Sequence, residues 1–251
     1  MGLVKSVGLS LGAAVAFTLA YSIPWGGFLM AGFLGCLFAL VKFGSSRQAF
    51  YLGLMVGMLI YPAQLFWFHR LFGAAAIVLW LILSFTLALM LLLARLCFAR
   101  FNPVVAGILF PFLWTGFEYF RSELYYLRFS WVNVGFAFSS WRVLPLRVLG
   151  VYGAGFLMAS YAAVLLTARR NGIAAGLIVC ISALLALWPA PMPDPGQSLS
   201  QVHITGVQIE SPSEAAVIMV LNQLARKFPQ TEVFVFSEYT FDSPVPDRVR
   251  A

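Results

Sequence analysis

A bundle of about seven membrane-spanning α-helices, followed by the start of an α/β domain, is the fold that three features of the sequence predict. Hydrophobic residues make up 61% and charged residues 10% of the 251 residues, against roughly 45–50% and about 25% in soluble domains. That much apolar surface cannot be hidden in one water-soluble core, so the excess must face lipid. The apolar residues also fall into runs near the span length of about 20 residues, separated by short polar breaks. Finally, the chain changes character after Trp188, where a Pro-rich stretch gives way to strand-like alternation.

The spans can be taken in order. Ser6 to Val41 has no charged side chain and is too long for one crossing. Pro24-Trp25-Gly26-Gly27 breaks it, which predicts a helical hairpin over 7–22 and 27–42. Gln48 to Phe68, then Leu71 to Ala94 extending toward Cys97, then Pro103 to Tyr119 supply three more. After an aromatic and polar interlude, Val148 to Ala168 and Gly172 to Leu187 complete the set. Because further spans follow the first, it does not read as a cleavable signal peptide.

A formal charge of +7 is compatible with nucleic acid, but its distribution excludes a nucleic-acid groove. No Asp or Glu precedes Glu118, and Lys and Arg stand singly or in pairs between apolar runs. A nucleic-acid surface clusters its cations on a polar domain, whereas cytoplasmic loops of membrane proteins collect them in this scattered way. With the N-terminus inside, Lys5, Lys42, Arg47, Arg95, Arg100, Arg169 and Arg170 all fall on that side. The exception is 120–147, which holds Arg121, Arg128, Arg142 and Arg147 on the opposite side. Cations placed against the topological bias can serve anionic head groups.

Trp188 to Gly196 is rich in proline, and with it the domains divide as 1–189 (transmembrane), 190–200 (linker) and 201–251. Val202 to Gln208 alternates as a strand, Ser213 to Lys227 reads as a helix capped by Ser213, and Thr231 to Phe236 is a second strand. Strand, helix, strand opens an α/β domain with a parallel pair. Two strands and a helix cannot bury a sheet on both faces, so most of such a domain is expected to be missing from this chain.

Two groups of residues carry possible chemistry. Glu238 follows the apolar second strand, at the strand end where α/β folds place ligands. A carboxylate there suits a general base, or is simply a solvated loop acid. Trp114, Glu118 and Arg121 are spaced i, i+4 and i+7 and share a helix face. They either shape a lipid head-group site beside Trp131 and Asn133 or form an interfacial ion pair that anchors the helix. The aromatic residues of 112–141 also fit an interfacial belt. Gly53 with Gly57, and Gly150 with Gly153, suit close helix packing. Cys36, Cys97 and Cys180 have no C-x-x-C spacing and no ligand set nearby, which predicts buried free thiols, with no metal and no cofactor.

Several motifs then occur in a fixed order. Val207-Gln208, a short helix, and a strand entering Ser237-Glu238-Tyr239 resemble the start of the nitrilase, or carbon–nitrogen hydrolase, fold. The usual Pro before the Glu is Ser237 here. Upstream stand Phe117-Glu118-Tyr119-Phe120-Arg121, Phe129-Ser130-Trp131-Val132-Asn133-Val134-Gly135-Phe136 and Gly150-Val151-Tyr152-Gly153-Ala154-Gly155-Phe156-Leu157, with Arg47, Gly53, Gly57 and Trp67 before them. This ordered set resembles the apolipoprotein N-acyltransferase family, multi-pass proteins of the bacterial inner membrane in which seven spans precede a periplasmic nitrilase domain.

The resemblance implies a Glu–Lys–Cys site. The Cys would take an acyl chain from a phospholipid as a thioester, with Glu238 as base and Lys stabilising the oxyanion. The acyl group would then pass to the α-amine of a lipidated N-terminal cysteine on an apolipoprotein. Neither Lys nor Cys follows Glu238 in this chain. The polypeptide is therefore expected to be inactive alone, as a shortened member of the family. The alternative is a non-catalytic membrane scaffold or lipid-binding subunit. A transporter is disfavoured because the spans are nearly devoid of mid-span polar groups.

Overall fold

The computed structural model describes residues 2–139, 146–167, 202–209, 213–237 and 240. The chain divides into two compact units, Met1–Ala190 and Pro191–Ala251. Each is treated by itself.

The first unit is helical, and its breaks have local causes. Helix α1 (Leu3–Ser22) stops before Pro24. Trp25 then turns the chain with φ 67°, and the 3-10 turn Gly26–Phe28 leads into α2 (Leu29–Phe43). A Cβ on Gly26 would lie 2.8 Å from the Leu19 carbonyl, so only glycine lets the turn fold back this tightly. Helix α3 (Ser46–Gln64) begins with a capping box, in which the Gln48 amide donates to Ser45 Oγ and the Ser45 amide to Gln48 Oε1. Helix α5 (Ala75–Arg100) is the longest, and α6 (Pro103–Tyr119) opens on an Asn102 cap with Pro at its first position. Helix α7 (Leu146–Thr167) is kinked at Gly150, where φ is 64°.

One predicted span is not straight. The run 48–68 was expected to form a single crossing, but α4 (Phe66–Phe72) breaks from α3 at Leu65 with a 70° bend. Pro62 lies inside α3 three residues earlier, where it removes a backbone donor and weakens the last turn. Gly73, at φ 56°, ends α4 by returning its N–H to the His69 carbonyl at 2.8 Å.

Among the described residues, four helices are long and apolar enough to cross a membrane, or five if the bent pair counts as one. A shorter apolar helix covers Gly26–Lys42. The chain is thus a mostly helical, multi-pass membrane bundle. Its outer surface is apolar as well as its core: Ile77, Val78, Leu81 and Phe85 on α5, and Val104, Ile108 and Phe112 on α6, are exposed, as lipid-facing positions should be. The seventh predicted span, 172–187, and the 190–200 linker lie outside the described residues.

Small residues set the closest helix pair. Gly57 on α3 faces Ser84 on α5, where a Cβ would fall 2.5 Å from the Ser84 Cα, and Gly53 meets Ala88 in the same way at 2.8 Å. This is the small-residue packing expected at Gly53 and Gly57. Gly150 does not act this way: among the described residues no atom lies within 4 Å of its Cβ position, and it serves the kink instead. Gly153 tucks under Leu149 of its own helix. Aromatic side chains fill the centre, with Phe33 edge-on to both Phe17 and Trp114, and Phe38 edge-on to Phe98 and Phe110.

Contacts at the two ends show how the helices run. The C-terminal ends of α2, α5 and α7 meet: Lys42 Nζ donates to the Leu166 carbonyl at 2.9 Å, and Arg95 Nη1 to the Lys42 carbonyl at 3.2 Å. Both cations satisfy helix C-terminal carbonyls, where the macrodipole favours positive charge. Tyr21, Tyr61 and Glu118, near the C-terminal ends of α1, α3 and α6, gather at the opposite end. Alternate helices are therefore antiparallel.

In the second unit, β1 (Ile204–Val207) pairs in parallel with β2 (Val233–Phe236), Ile204 opposite Val233 and Val207 opposite Phe236. The crossover carries α8 (Glu214–Lys227), whose N-cap Ser213 accepts from the Ala216 amide at 3.3 Å. Two short strands and one helix are a beginning of an α/β layer, not a domain of that class.

Candidate functional site

The functional candidates of the bundle meet where α6 ends. Helix α6 continues into a π-turn at Phe120–Leu124, a widening that is rare and concentrated at functional places. It brings both Arg121 and Ser122 inward, while Phe120 and Leu124 face out. Trp114, Glu118 and Arg121 are all buried, at 7%, 5% and 6% exposure. The shared face expected from their spacing exists.

The chain then returns to the same place. Asn133, at 1% exposure, precedes the 3-10 turn Val134–Phe138, whose Val134 and Phe138 are also buried. This turn plugs one end of the bundle: a Cβ on Gly135 would collide with the Val151 carbonyl of α7, and one on Gly27 would lie 2.8 Å from the Ala137 carbonyl. To enter the plug, Val132 adopts φ 57°. That conformation is costly for a β-branched residue.

Polar contacts hold the plug to the helices. Glu118 Oε1 accepts the Val134 N–H at 2.7 Å. The Arg121 guanidinium donates to Asn133 Oδ1, and through Nη1 to Tyr61 Oη at 3.4 Å. Asn133 Nδ2 donates to Ser122 Oγ at 3.0 Å, and the Asn133 carbonyl accepts the Tyr21 hydroxyl at 2.5 Å. Glu118 and Arg121 thus do not form the interfacial ion pair weighed from sequence. Both are buried, and each is held by a different neighbour.

A small, half-open cavity of about 30 Å³ adjoins the knot, lined among others by Phe17, Tyr61, Trp114, Glu118 and Arg121. Its size suits one water molecule. Trp114 Nε1, Glu118 Oε2 and Arg121 Nε make no well-aligned hydrogen bond among the described residues, although the Trp114 indole interacts with the nearby carboxylate. Helix α7 presses on the same atoms, since a Cβ on Gly155 would fall 2.7 Å from Glu118 Oε2.

Trp131 lies elsewhere. At 43% exposure it packs on Phe129 and on Trp67, with ring centroids 4.4 and 4.9 Å away, and Phe68 stands nearby at 6.4 Å. Exposed Phe66, Leu71 and Phe72 of α4 and exposed Arg70 and Arg128 flank this patch. Of the arginines in 120–147, Arg121 is turned inward and cannot meet lipid directly. Arg128 is exposed, and Arg142 lies outside the described residues.

Sequence reasoning missed Tyr21, Tyr61, Ser122 and the Val134 amide. A tyrosine at the end of each of two apolar spans was a usable signal; a backbone amide leaves none. Glu238 and Tyr239 lie outside the described residues. Next to them, Ser237 ends β2 with its N–H on the Val207 carbonyl at 3.2 Å. Cys36 and Cys97 are free and half-buried, more exposed than expected. Among the described residues no group of His, Cys, Asp or Glu is placed to hold a metal.

Residues 12–164 match the family model described as the apolipoprotein N-acyltransferase N-terminal domain, a stretch that takes in the plug and every residue of the polar knot. An apolipoprotein N-acyltransferase of Geobacter metallireducens is 29% identical over 131 residues, covering 45% of this chain. The match spans 24% of that relative's length, about a quarter. With a family match over more than half of its residues, the chain belongs to the apolipoprotein N-acyltransferase family.

Proposed function

We propose that this chain is the membrane half, with the first strands of a nitrilase-like domain, of an enzyme that N-acylates lipoproteins from phospholipid. The observation that carries this is the family match over 12–164, which contains the whole knot-and-plug end of the bundle. Seven spans, an N-terminus in the cytoplasm and residues 201–251 on the outer face of the bacterial inner membrane complete the picture. The scattered cations before residue 101 support that orientation.

Roles divide according to exposure. Trp114, Glu118, Arg121 and Asn133 hold the plug and thereby fix the rim from which Trp131 projects. Trp131, beside Trp67, meets the lipid head groups, with Arg70 and Arg128 in reach of their phosphates. Glu238 is the general base at the mouth of the sheet. In the reaction, a cysteine thiol gives its proton to Glu238 and attacks the phospholipid ester, forming a thioester and releasing lysophospholipid. The amine of a diacylated N-terminal cysteine then attacks the thioester, yielding the amide and restoring the thiol. Glu238 takes the proton in each attack and returns it to the leaving group.

The test supplies the gene product that carries these residues, in membranes, with a phospholipid bearing a labelled acyl chain and a diacylated lipopeptide. Mass spectrometry of the peptide should show one added acyl chain at its N-terminal amine. No transfer by a well-expressed protein contradicts the proposal and favours the scaffold reading. Unchanged transfer by Glu238→Gln removes Glu238 from the mechanism.

A further inference from the structure

The cavity beside the knot is bordered by side chains whose hydrogen bonding the knot does not complete. Arg121 directs its two terminal nitrogens to Asn133 and Tyr61, but its buried Nε has no partner among the described residues. Glu118 gives Oε1 to the Val134 N–H, and its buried Oε2 has no well-aligned bond among the described residues. Both side chains line the cavity. So does Thr86, the polar side chain that α5 brings there. Its hydroxyl donates to the Ile82 carbonyl at 2.9 Å, which leaves lone pairs on the oxygen.

A buried donor and a buried acceptor left unpaired are costly in any protein. They are more so in a bilayer, where bulk water does not reach them. Arg121 Nε and Glu118 Oε2 do not satisfy each other, because Asn133 and Tyr61 hold the guanidinium while Val134 holds the carboxylate. A molecule that both donates and accepts can serve the two at once. The cavity, at about 30 Å³, exceeds the roughly 10–15 Å³ that a buried water needs, and such waters make about three hydrogen bonds.

We infer that this cavity is the binding site of a single ordered water, which accepts the Arg121 Nε–H and donates to Glu118 Oε2 and Thr86 Oγ1. Tyr61 Oη also borders the cavity but already accepts Arg121 Nη1. The Trp114 indole interacts with the carboxylate. The three contacts therefore fall to the remaining atoms. Through Thr86 the water ties α5 into a knot whose direct hydrogen bonds come from α1, α3, α6, its π-turn and the plug. The site does not depend on the acyl-transfer reading.

The experiment is a density map of the whole gene product in lipid nanodiscs, at a resolution that shows ordered waters. A solvent peak should stand within about 3.2 Å of Arg121 Nε, Glu118 Oε2 and Thr86 Oγ1. No peak there, in a map that shows other buried waters, overturns the inference. So does a peak lacking any of the three contacts, or Arg121 Nε bonded straight to Glu118. Two variants test the α5 contact separately. Thr86→Val keeps the side chain's shape and removes the acceptor, whereas Thr86→Ser keeps the hydroxyl. The hydroxyl's own bond to the Ile82 carbonyl adds little to a helix. Thr86→Val should therefore lower the melting temperature by about 2–4 °C, the shift for one lost hydrogen bond in a chain of this length, and Thr86→Ser by clearly less. Wild-type melting of Thr86→Val, or equal shifts in both variants, overturns the bridge to α5.

Discussion

Glu118 and Val134 lie 16 positions apart, yet the carboxylate Oε1 accepts the backbone N–H at 2.7 Å inside the bundle. This contact fastens an irregular turn between transmembrane helices, where water is not available to satisfy a stray amide. Removing the carboxylate leaves that amide unpaired and leaves the Arg121 charge buried without its neighbouring anion. Glu118→Ala should therefore cost about 3 kcal/mol, the upper end for leaving a buried polar group unpaired. Glu118→Gln keeps an acceptor for Val134 and should cost about 1–2 kcal/mol. Thermal unfolding of the detergent-solubilised protein reads both. A Glu118→Ala protein that melts with wild type would show that the knot does not hold the plug.

Glycines on different helix faces give an internal comparison. At Gly57 a Cβ would lie 2.5 Å from Ser84 Cα, against backbone that cannot yield without separating α3 from α5. Gly57→Ala should destabilise by about 1–3 kcal/mol, as overpacking does. At Gly116 nothing among the described residues lies within 4 Å of the Cβ position. Gly116→Ala should stabilise by about 0.5–1 kcal/mol through helix propensity alone. The same melting assay compares them, and equal shifts would contradict the α3–α5 packing.

Much of the bundle was legible because burial in lipid leaves a plain record in sequence. The boundaries at Asn102-Pro103 and at Pro24-Trp25-Gly26-Gly27 follow from local backbone chemistry, and α6 runs from Pro103 to Tyr119 as expected. Other features lacked such a record. The bend at Leu65 follows a proline within an otherwise uninterrupted apolar run, and apolar periodicity cannot distinguish a straight helix from a broken one. The Val134–Phe138 plug is too short to show a period. Trp114, Glu118 and Arg121 announced a common face, but their partners did not, because those partners are an amide, an asparagine across a loop and two tyrosines on other helices. Trp131, close to Asn133 in sequence, points to the surface while Asn133 is buried, and Val132 between them has a positive φ that no sequence pattern announces.

The alternation of the helices makes the proposed orientation testable by position. The ends capped by Lys42 and Arg95 should lie in the cytoplasm, and the knot end should lie outside. Alkaline phosphatase fused after Gly73 or Thr240 should be active, and after Gly44 or Phe101 silent, with a fluorescent-protein reporter giving the reverse. An active fusion at Gly44 would invert the bundle. A silent one at Thr240, with Gly73 active, would put residues 201–251 on the cytoplasmic face and sink Glu238 as an outer-face base.

Trp131 offers the cleanest separation of lipid contact from folding. It is half-exposed, its ring packs at a steep angle on Trp67 and edge-on to Phe129 at the surface, and among the described residues it takes no part in the hydrogen bonds around Asn133. An indole at the membrane interface has an apolar body for the acyl region and an N–H for the head groups. Trp131→Ala should remove lipid contact and leave the plug in place. Its melting temperature should stay near wild type while KM for phospholipid in the N-acyl transfer assay rises about tenfold, the cost of about 1.4 kcal/mol of lost binding. Asn133→Ala should do the opposite first, lowering the melting temperature because Arg121 and Ser122 both bond its side-chain amide. If Trp131→Ala melts early with an unchanged KM, the indole is part of the plug's support. The lipid-facing role would then pass to Arg70 and Arg128.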